Sequence, residues 1–328
     1  MSYPEPTKNT THFPESDNHA MPKPLPLVVI LGPTAVGKTA LSIQLAKKLD
    51  GEIVSADSRL FYRGMDIGTA KPTLEDRRHV PHHLIDVTTP ETPWSLAIFQ
   101  QAARDCIQDI AKRGHLPILV GGTGQYIYAV TQGWTLPRVT PHPLLRKALE
   151  DWANEITPQG LHTRLAALDP QAAERIDPQN MRRTIRALEV IFLSGHRFSA
   201  QSLQSASSYN LLQIGLKLPR PVLYNHIDAR IDAMFSLGLV AEVKNLLDQG
   251  YDPDLPPFSA IGYSEVIAYL QAKSSLDEAV MLMKRRSRIF VRRQANWFKE
   301  TDPNIHWFDA QAPIMEDILI LIQNWKES

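Results

Sequence analysis

With 328 residues the chain has room for one large domain or two ordinary ones, and 43% hydrophobic residues supply an ample core. Its 35 basic and 35 acidic residues cancel, so a polyanionic partner must be met by local basic patches rather than by net charge. A single cysteine, Cys106, excludes an intramolecular disulfide and a cysteine-rich zinc site, and no apolar run approaches the ~18 residues of a membrane span.

Residues 1–26 are rich in Pro, Thr and His, carry Glu and Asp, and contain no arginine. That composition fits neither an apolar signal core nor an Arg-rich transit peptide, and it predicts a disordered tail on a cytoplasmic protein. Val28 to Leu31 then form a short buried strand that runs into Gly32, Pro33, Thr34, Ala35, Val36, Gly37, Lys38 and Thr39. Leu41, Leu45 and Leu49 start a helix directly afterwards. This is G-x-x-x-x-G-K-[ST] in the strand–loop–helix setting the motif needs. Its glycines let successive backbone N–H groups point at an anion, and the new helix adds its positive end. Lys38 reaches the outer phosphate and the Thr39 hydroxyl can ligate Mg²⁺. The loop is predicted to bind a di- or triphosphate.

Glu52 to Ala56 read as a second strand, which delivers Asp57 at its carboxyl end, where ligands sit in open α/β sheets. Asp57 is either a cap or a functional carboxylate facing Lys38. The stretch Asp57 to Pro72 has no regular period, and a loop of this length inside a compact domain is usually functional. His82 to Val87 look like a third strand, with its adjacent histidines on opposite faces and so poorly placed to share a metal. A helix from about Ser95 to Arg113 leads to the apolar strand Leu116 to Val120, which ends in G-G-T-G. Many P-loop hydrolases carry an acidic residue at the end of such a strand to help hold Mg²⁺. Here Thr123 and glycines stand in its place, which argues against an ATP-driven motor.

From about Arg138 the chain reads helical to roughly Ser199, opened by Pro141 and Pro143, and a Ser-rich stretch to Ser208 closes it. Within this segment Met181, Ile185, Leu188 and Phe192 share one helix face, with Arg182, Arg183 and Arg186 beside and opposite it. A solvated charged face and phosphate contacts along a nucleic acid both fit that pattern. Leu211 to Leu218 resemble a strand rejoining the sheet, and one helix is predicted over Pro221 to Gln249. Arg230 falls on its inward face with Ile227, Ile231 and Met234. A cation among apolar residues needs a partner, either an internal acid or an anionic ligand. Lys284 to Lys299 hold seven basic residues and no acid. Met283, Phe290 and Trp297 mark a core-facing side, and Arg285, Arg288, Arg292 and Lys299 a basic stripe. Arg286 and Arg293 fall near the apolar edge and call for anionic partners. Ile305 to Phe308 and a closing helix finish the chain. The expected fold is α/β: a P-loop NTPase-like parallel sheet flanked by helices. Its core spans residues 27–137 and 209–328, with a helical insertion domain over 138–208.

Several strings together resemble the tRNA dimethylallyltransferases, also called tRNA isopentenyltransferases. They are Gly32 to Thr39, Asp57 to Pro72 (D-S-R-L-F-Y-R-G-M-D-I-G-T-A-K-P), Leu119 to Tyr126 (L-V-G-G-T-G-Q-Y), Arg182 to Val190, Ala260 to Leu270 and Arg292 to Phe298 (R-R-Q-A-N-W-F). They stand in family order, and the G-M-D-I-G-T-A-K-P string is the most specific. The chain departs from the family's usual residues at Arg59, Leu60, Gln125 and Asn296.

The resemblance implies Mg²⁺-dependent transfer of a dimethylallyl group from its diphosphate to the adenosine 3′ of the anticodon, in tRNAs reading codons that begin with U. It implies Asp57 as the base, Thr123 as its neighbour that places the amine, and Lys38 and Arg230 as stabilisers of the departing charge. Residues 32–39 would cradle the donor diphosphate, with Mg²⁺ on Thr39. Asp57, Ser58, Arg59, Leu60 and Thr123 would hold the flipped-out nucleotide. Arg146, the segment Arg182, Arg183, Thr184, Ile185 and Arg186, and Arg288, Arg292 and Arg293 would contact the tRNA. The implied partners are the tRNA anticodon stem-loop and dimethylallyl diphosphate, with no membrane and no obligate protein partner, and a monomer is the simplest state. The competing readings are a transferase for free adenine nucleotides, a P-loop small-molecule kinase and a non-catalytic RNA-binding protein.

Overall fold

The computed structural model describes residues 24–92, 94–135, 137, 139–140, 142–201 and 208–327. Its centre is a six-stranded, wholly parallel sheet built from β1 (Leu25–Leu31), β2 (Gly51–Ser55), β3 (His82–His83), β4 (Leu116–Gly121), β5 (Tyr209–Lys217) and β6 (Ile305–Asp309). The strand order is β3-β2-β4-β1-β5-β6. Burial on both faces explains why β1 and β4 read as continuous apolar runs rather than alternating ones. The register pairs Leu31 with both Gly121 and Gly215, and Ser55 with Val120. The carboxyl ends of β2, β4 and β1 therefore lie side by side along one edge.

Helices α1 (Lys38–Leu49), α2 (Leu74–His79), α3 (Leu96–Lys112) and α4 (Gly124–Thr131) connect the first strands. Then follow α5 (Pro143–Leu168), α6 (Pro170–Arg175), α7 (Met181–Ser194) and α8 (Phe198–Gln201). After β5 come α9 (Arg220–Ser236), α10 (Leu239–Asp248), α11 (Tyr263–Leu270) and α12 (Leu276–Gln294), and α13 (Met315–Glu327) closes the chain. Helices α5 to α7 pack around an apolar cluster of their own that includes Leu149, Leu161, Leu165, Ile185 and Leu188. Inside it Glu189 is fully buried, and Arg146 meets it with two bonds of 2.9 Å. Arg186 adds a third at 2.6 Å and the backbone N–H of His142 a fourth at 2.8 Å.

Four expectations are corrected. The predicted tail to residue 26 is too long, because Leu25 and Pro26 pair with Tyr209 and Asn210; residues 1–23 lie outside the described residues, as do Arg138, Pro141 and residues 202–207. The third strand stops after two residues, since Leu84 and Asp86 take positive φ of 62° and 57° and turn the chain out of the sheet. The single helix predicted over Pro221 to Gln249 is two, split where Gly238 adopts φ of 100°. On α12 only Met283 of the predicted core face is buried, while Phe290 and Trp297 are each 39% exposed. A seven-residue repeat drifts by ~20° per heptad on a straight helix. The buried face is instead Ala279, Met283, Val291 and Gln294, and the helix ends before Trp297.

Candidate active site

Three adjacent strand ends deliver three loops to one place. After β1, Gly32 (φ 147°) turns the phosphate loop so tightly that a Cβ there would lie 2.6 Å from the Leu216 carbonyl oxygen of β5. Gly37, at φ of 102°, starts α1. After β2, Asp57 follows Ala56, whose N–H donates to Val120 of β4 at 2.7 Å. After β4, Thr123 sits at the N-cap of α4 and makes no side-chain capping bond.

Lys38 is half exposed as a residue, but its ammonium turns inward and donates to the Pro33 carbonyl at 2.8 Å. Burial pulls its pKa down to about 8; the Asp57 carboxylate opposes that shift and the Arg230 guanidinium adds to it. Arg230, reaching across from α9, is likewise pushed down by burial and held up by Asp57. It donates to the Thr69 carbonyl at 3.3 Å. Asp57 accepts the Arg59 N–H at 3.0 Å on Oδ1. Two poorly solvated cations thus lie within the field of one carboxylate at the strand ends. The surplus positive charge suits an anion with several oxygens. Among the described residues the acid that acts on Arg230 is Asp57, which is only partly buried and whose field reaches both cations.

The irregular stretch after Asp57 is held by contacts the sequence did not announce. Glu242 of α10 accepts the N–H groups of Asp66, Ile67 and Gly68 at 3.0, 2.6 and 3.1 Å, and the Tyr263 hydroxyl at 2.6 Å. Lys71, its side chain almost wholly buried, donates to the Tyr62 carbonyl and pairs with Asp66 and Asp86 at 2.6 and 2.5 Å. Tyr126 of α4 bonds Ser58, and burial drives its hydroxyl up to about 12, so it stays neutral. Arg59 donates to the Pro257 carbonyl at 3.2 Å. Gln294 of α12, also unforeseen, accepts from Thr34 N–H at 3.0 Å and donates to the Gly122 carbonyl at 2.9 Å.

The residues expected to touch tRNA divide into three groups. Arg182 and Arg183 of α7 and Arg292 and Arg293 of α12 are exposed; Arg293 is therefore not at an apolar edge, whereas Arg286 is, and it pairs with the buried Glu265. Arg146, Arg186 and Arg288 are partly exposed but already hold Glu189 or Asp228. Thr184 and Ile185 are corrected: their side chains lie in the insert's core, and the Thr184 hydroxyl bonds the Asn180 carbonyl. The basic face of α12 borders a groove of about 560 Å³ lined by Lys284, Arg285, Arg288 and Arg292 with Met281.

For a divalent ion, the described residues contain no cluster of three His, Cys, Asp or Glu side chains. The exposed Thr39 at the start of α1 offers one hard oxygen. That set fits Mg²⁺, which keeps several waters and binds through few protein oxygens plus substrate phosphates.

The family model described as IPP transferase matches residues 60–301, and that described as Isopentenyl transferase matches residues 25–84. A tRNA dimethylallyltransferase of Roseiflexus sp. (strain RS-1) is 50% identical over 302 residues, covering 92% of this chain and 99% of that protein. Its counterpart in Roseiflexus castenholzii is 53% identical over 289 residues, 88% of this chain and 94% of that one. Among solved structures, the full-length tRNA isopentenylpyrophosphate transferase of Bacillus halodurans superposes with a TM-score of 0.68 at 44% identity, covering 92% of this chain and 97% of that one. A eukaryotic dimethylallyltransferase acting on tRNA gives a TM-score of 0.77 at 27% identity, covering 92% and 79%.

Proposed function

The chain belongs to the IPP transferase family, and from that premise we infer that it transfers a dimethylallyl group from dimethylallyl diphosphate to a tRNA adenosine, the one 3′ of the anticodon. One observation carries the reading at the level of residues: the Asp57 carboxylate, at the end of β2, acts electrostatically on both the desolvated Lys38 ammonium and the desolvated Arg230 guanidinium.

The exocyclic amine of adenine is a weak nucleophile because its lone pair is delocalised into the ring. It needs a base and an electrophile with a good leaving group. The amine nitrogen bonds to the first carbon of the dimethylallyl group as the bond from that carbon to the diphosphate oxygen breaks. The electron pair leaves with diphosphate, and the nitrogen's proton passes to Asp57. General-base help of this kind is worth ~10²–10⁴ in rate. Lys38, Arg230 and the loop amides meet the charge that builds on the departing oxygens, where preorganised donors are most effective. Thr39 would help hold a Mg²⁺ ion, which would supply further neutralisation of that charge. Thr123, at the neighbouring strand end, orients the amine.

An adenosine stacked in the anticodon loop must be extruded, which costs a few kcal/mol. Phosphate contacts from Arg182, Arg183, Arg292 and Arg293 offset that cost in this reading, with Arg146, Arg186 and Arg288 contributing from their ion pairs. Asp57, Ser58, Arg59 and Leu60 receive the nucleotide. A tRNA substrate is in keeping with a cytoplasmic enzyme.

The test is incorporation of labelled dimethylallyl by purified protein into tRNA and, separately, into AMP, with Mg²⁺ present. Label in the tRNA anticodon loop supports the reading. Label in AMP alone favours a transferase for free nucleotides, and no label in either overturns both.

A further inference from the structure

Gln294 is 5% exposed and ends α12, a helix otherwise notable for its basic surface. Its amide nonetheless reaches the phosphate loop. The carbonyl oxygen accepts from the N–H of Thr34, a residue 260 positions earlier in the phosphate loop. The amide nitrogen donates to the Gly122 carbonyl in the turn after β4. Among the described residues no backbone bond joins these two loops beyond the strand pairing that ends at Leu31 and Gly121.

The packing around this amide has no slack. A Cβ on Gly122 would fall 2.4 Å from the Gln294 nitrogen, 3.0 Å from the Gly32 oxygen and 3.4 Å from the Lys38 ammonium. Three residues on, Trp297 occupies the space a Gly124 side chain would need, at 2.4 Å. The Tyr128 hydroxyl holds the Trp297 carbonyl at 2.7 Å. The end of α12 is thus wedged against the turn that carries Thr123, and one side chain extends from it to the loop that carries Lys38.

We propose that Gln294 is a positioning residue for the transfer reaction: it fixes the spacing between the donor's phosphate cradle and the turn bearing Thr123. The inference rests on the function proposed above. By taking the Thr34 N–H, Gln294 also decides which loop amides face the anion, leaving those beyond Thr34 to the diphosphate. A buried amide with both ends satisfied favours one arrangement, because an alternative leaves a donor or acceptor unpaired. A near-attack geometry is sensitive to displacements of about 1 Å, which can lower rate ~10²-fold. No atom of Gln294 needs to touch either substrate for it to act this way.

The test uses Gln294→Met, close in volume but without either hydrogen bond, and Gln294→Glu, which keeps the length and the acceptor for Thr34. The Met variant is expected to bind inorganic diphosphate about tenfold more weakly and to lose at least tenfold in kcat. Its affinity for tRNA stays within twofold of the unaltered protein. Amide hydrogen exchange at Thr34 accelerates in the Met variant and stays slow in the Glu variant, while Leu31 and Ile118 are unchanged in both. The Glu variant still loses kcat, since its link to Gly122 is gone. If the Met variant does not fold, the Glu variant's kcat decides. Normal kcat and normal diphosphate affinity in the folded variants would overturn the proposal. So would a fall in melting temperature with full activity per folded molecule, which marks a merely structural residue. If the unaltered protein modifies no tRNA, the proposed function fails by itself; diphosphate affinity and Thr34 exchange still report on Gln294.

Discussion

Raising the pH should switch off donor capture through Lys38 well before it harms the fold. The ammonium sits where burial brings its pKa from 10.5 to about 8. It is then ~90% protonated at pH 7 and ~10% at pH 9, so kcat/KM for the donor should fall about tenfold across that interval. The sign of the stability effect separates this from denaturation. The folded pKa lies below the unfolded one, so between about 8 and 10.5 the unfolded chain binds more protons, and Lys38 makes the fold more stable as pH rises. Bound diphosphate favours the charged form, so the limb in kcat should lie at higher pH than the limb in kcat/KM. Initial rates with labelled donor at saturating tRNA, run beside thermal melts at each pH, give both quantities. Lys38→Arg keeps its charge throughout and should flatten the limb, at a lower maximal rate because a planar guanidinium replaces a point charge. A donor kcat/KM that stays level through about pH 9 would exclude Lys38 as the group that captures the donor. A limb confined to the KM for tRNA would do the same.

Arg230→Gln should raise the donor KM and lower kcat with tRNA affinity intact; loss of tRNA binding instead would move Arg230 out of the donor site. Glu189→Ala should destabilise the helical insert by ~2–3 kcal/mol, read by hydrogen exchange in α5 and α7. Removing one partner of a buried pair costs ~3–5 kcal/mol, discounted here because Arg146 and Arg186 are 39% and 30% exposed and can regain water. A change below ~0.5 kcal/mol would mean the carboxylate is dispensable to the insert. Arg182→Ala should reduce the salt dependence of tRNA binding by about one phosphate contact and leave donor KM alone; an unaltered slope takes Arg182 out of the interface.

The parts of the site that were legible in the sequence are those whose signal is local. The phosphate loop is a contiguous string with a strand before it and a helix after it. Asp57 stands at a strand end, and Arg230 declared itself as a cation on an apolar helix face. The contacts without a local signal join distant segments: Glu242 to Asp66–Gly68, Gln294 to Thr34 and Gly122, Glu189 to Arg146. Nothing near Glu242 in the chain distinguishes it from a solvated glutamate, because its partners are backbone amides of another loop. The arginines of α7 show the same limit from the other side. Arg182, Arg183 and Arg186 are alike in sequence, yet only Arg186 faces the buried Glu189. Thr184 and Ile185, swept in with them by adjacency, belong to the insert's core. The split between α9 and α10 falls at Gly238, whose positive φ of 100° ends one helix within an otherwise unbroken apolar pattern.

In this mechanism one carboxylate removes the amine's proton while the neighbouring cations accept the diphosphate. A single-turnover measurement with enzyme in excess over labelled donor and tRNA isolates that step. Asp57→Asn should bind both substrates within a few-fold of the unaltered protein and transfer the label ~10²–10⁴-fold more slowly. Transfer at the normal rate, or a rate loss matched by an equal loss of tRNA binding, would contradict the assignment of Asp57 as the base.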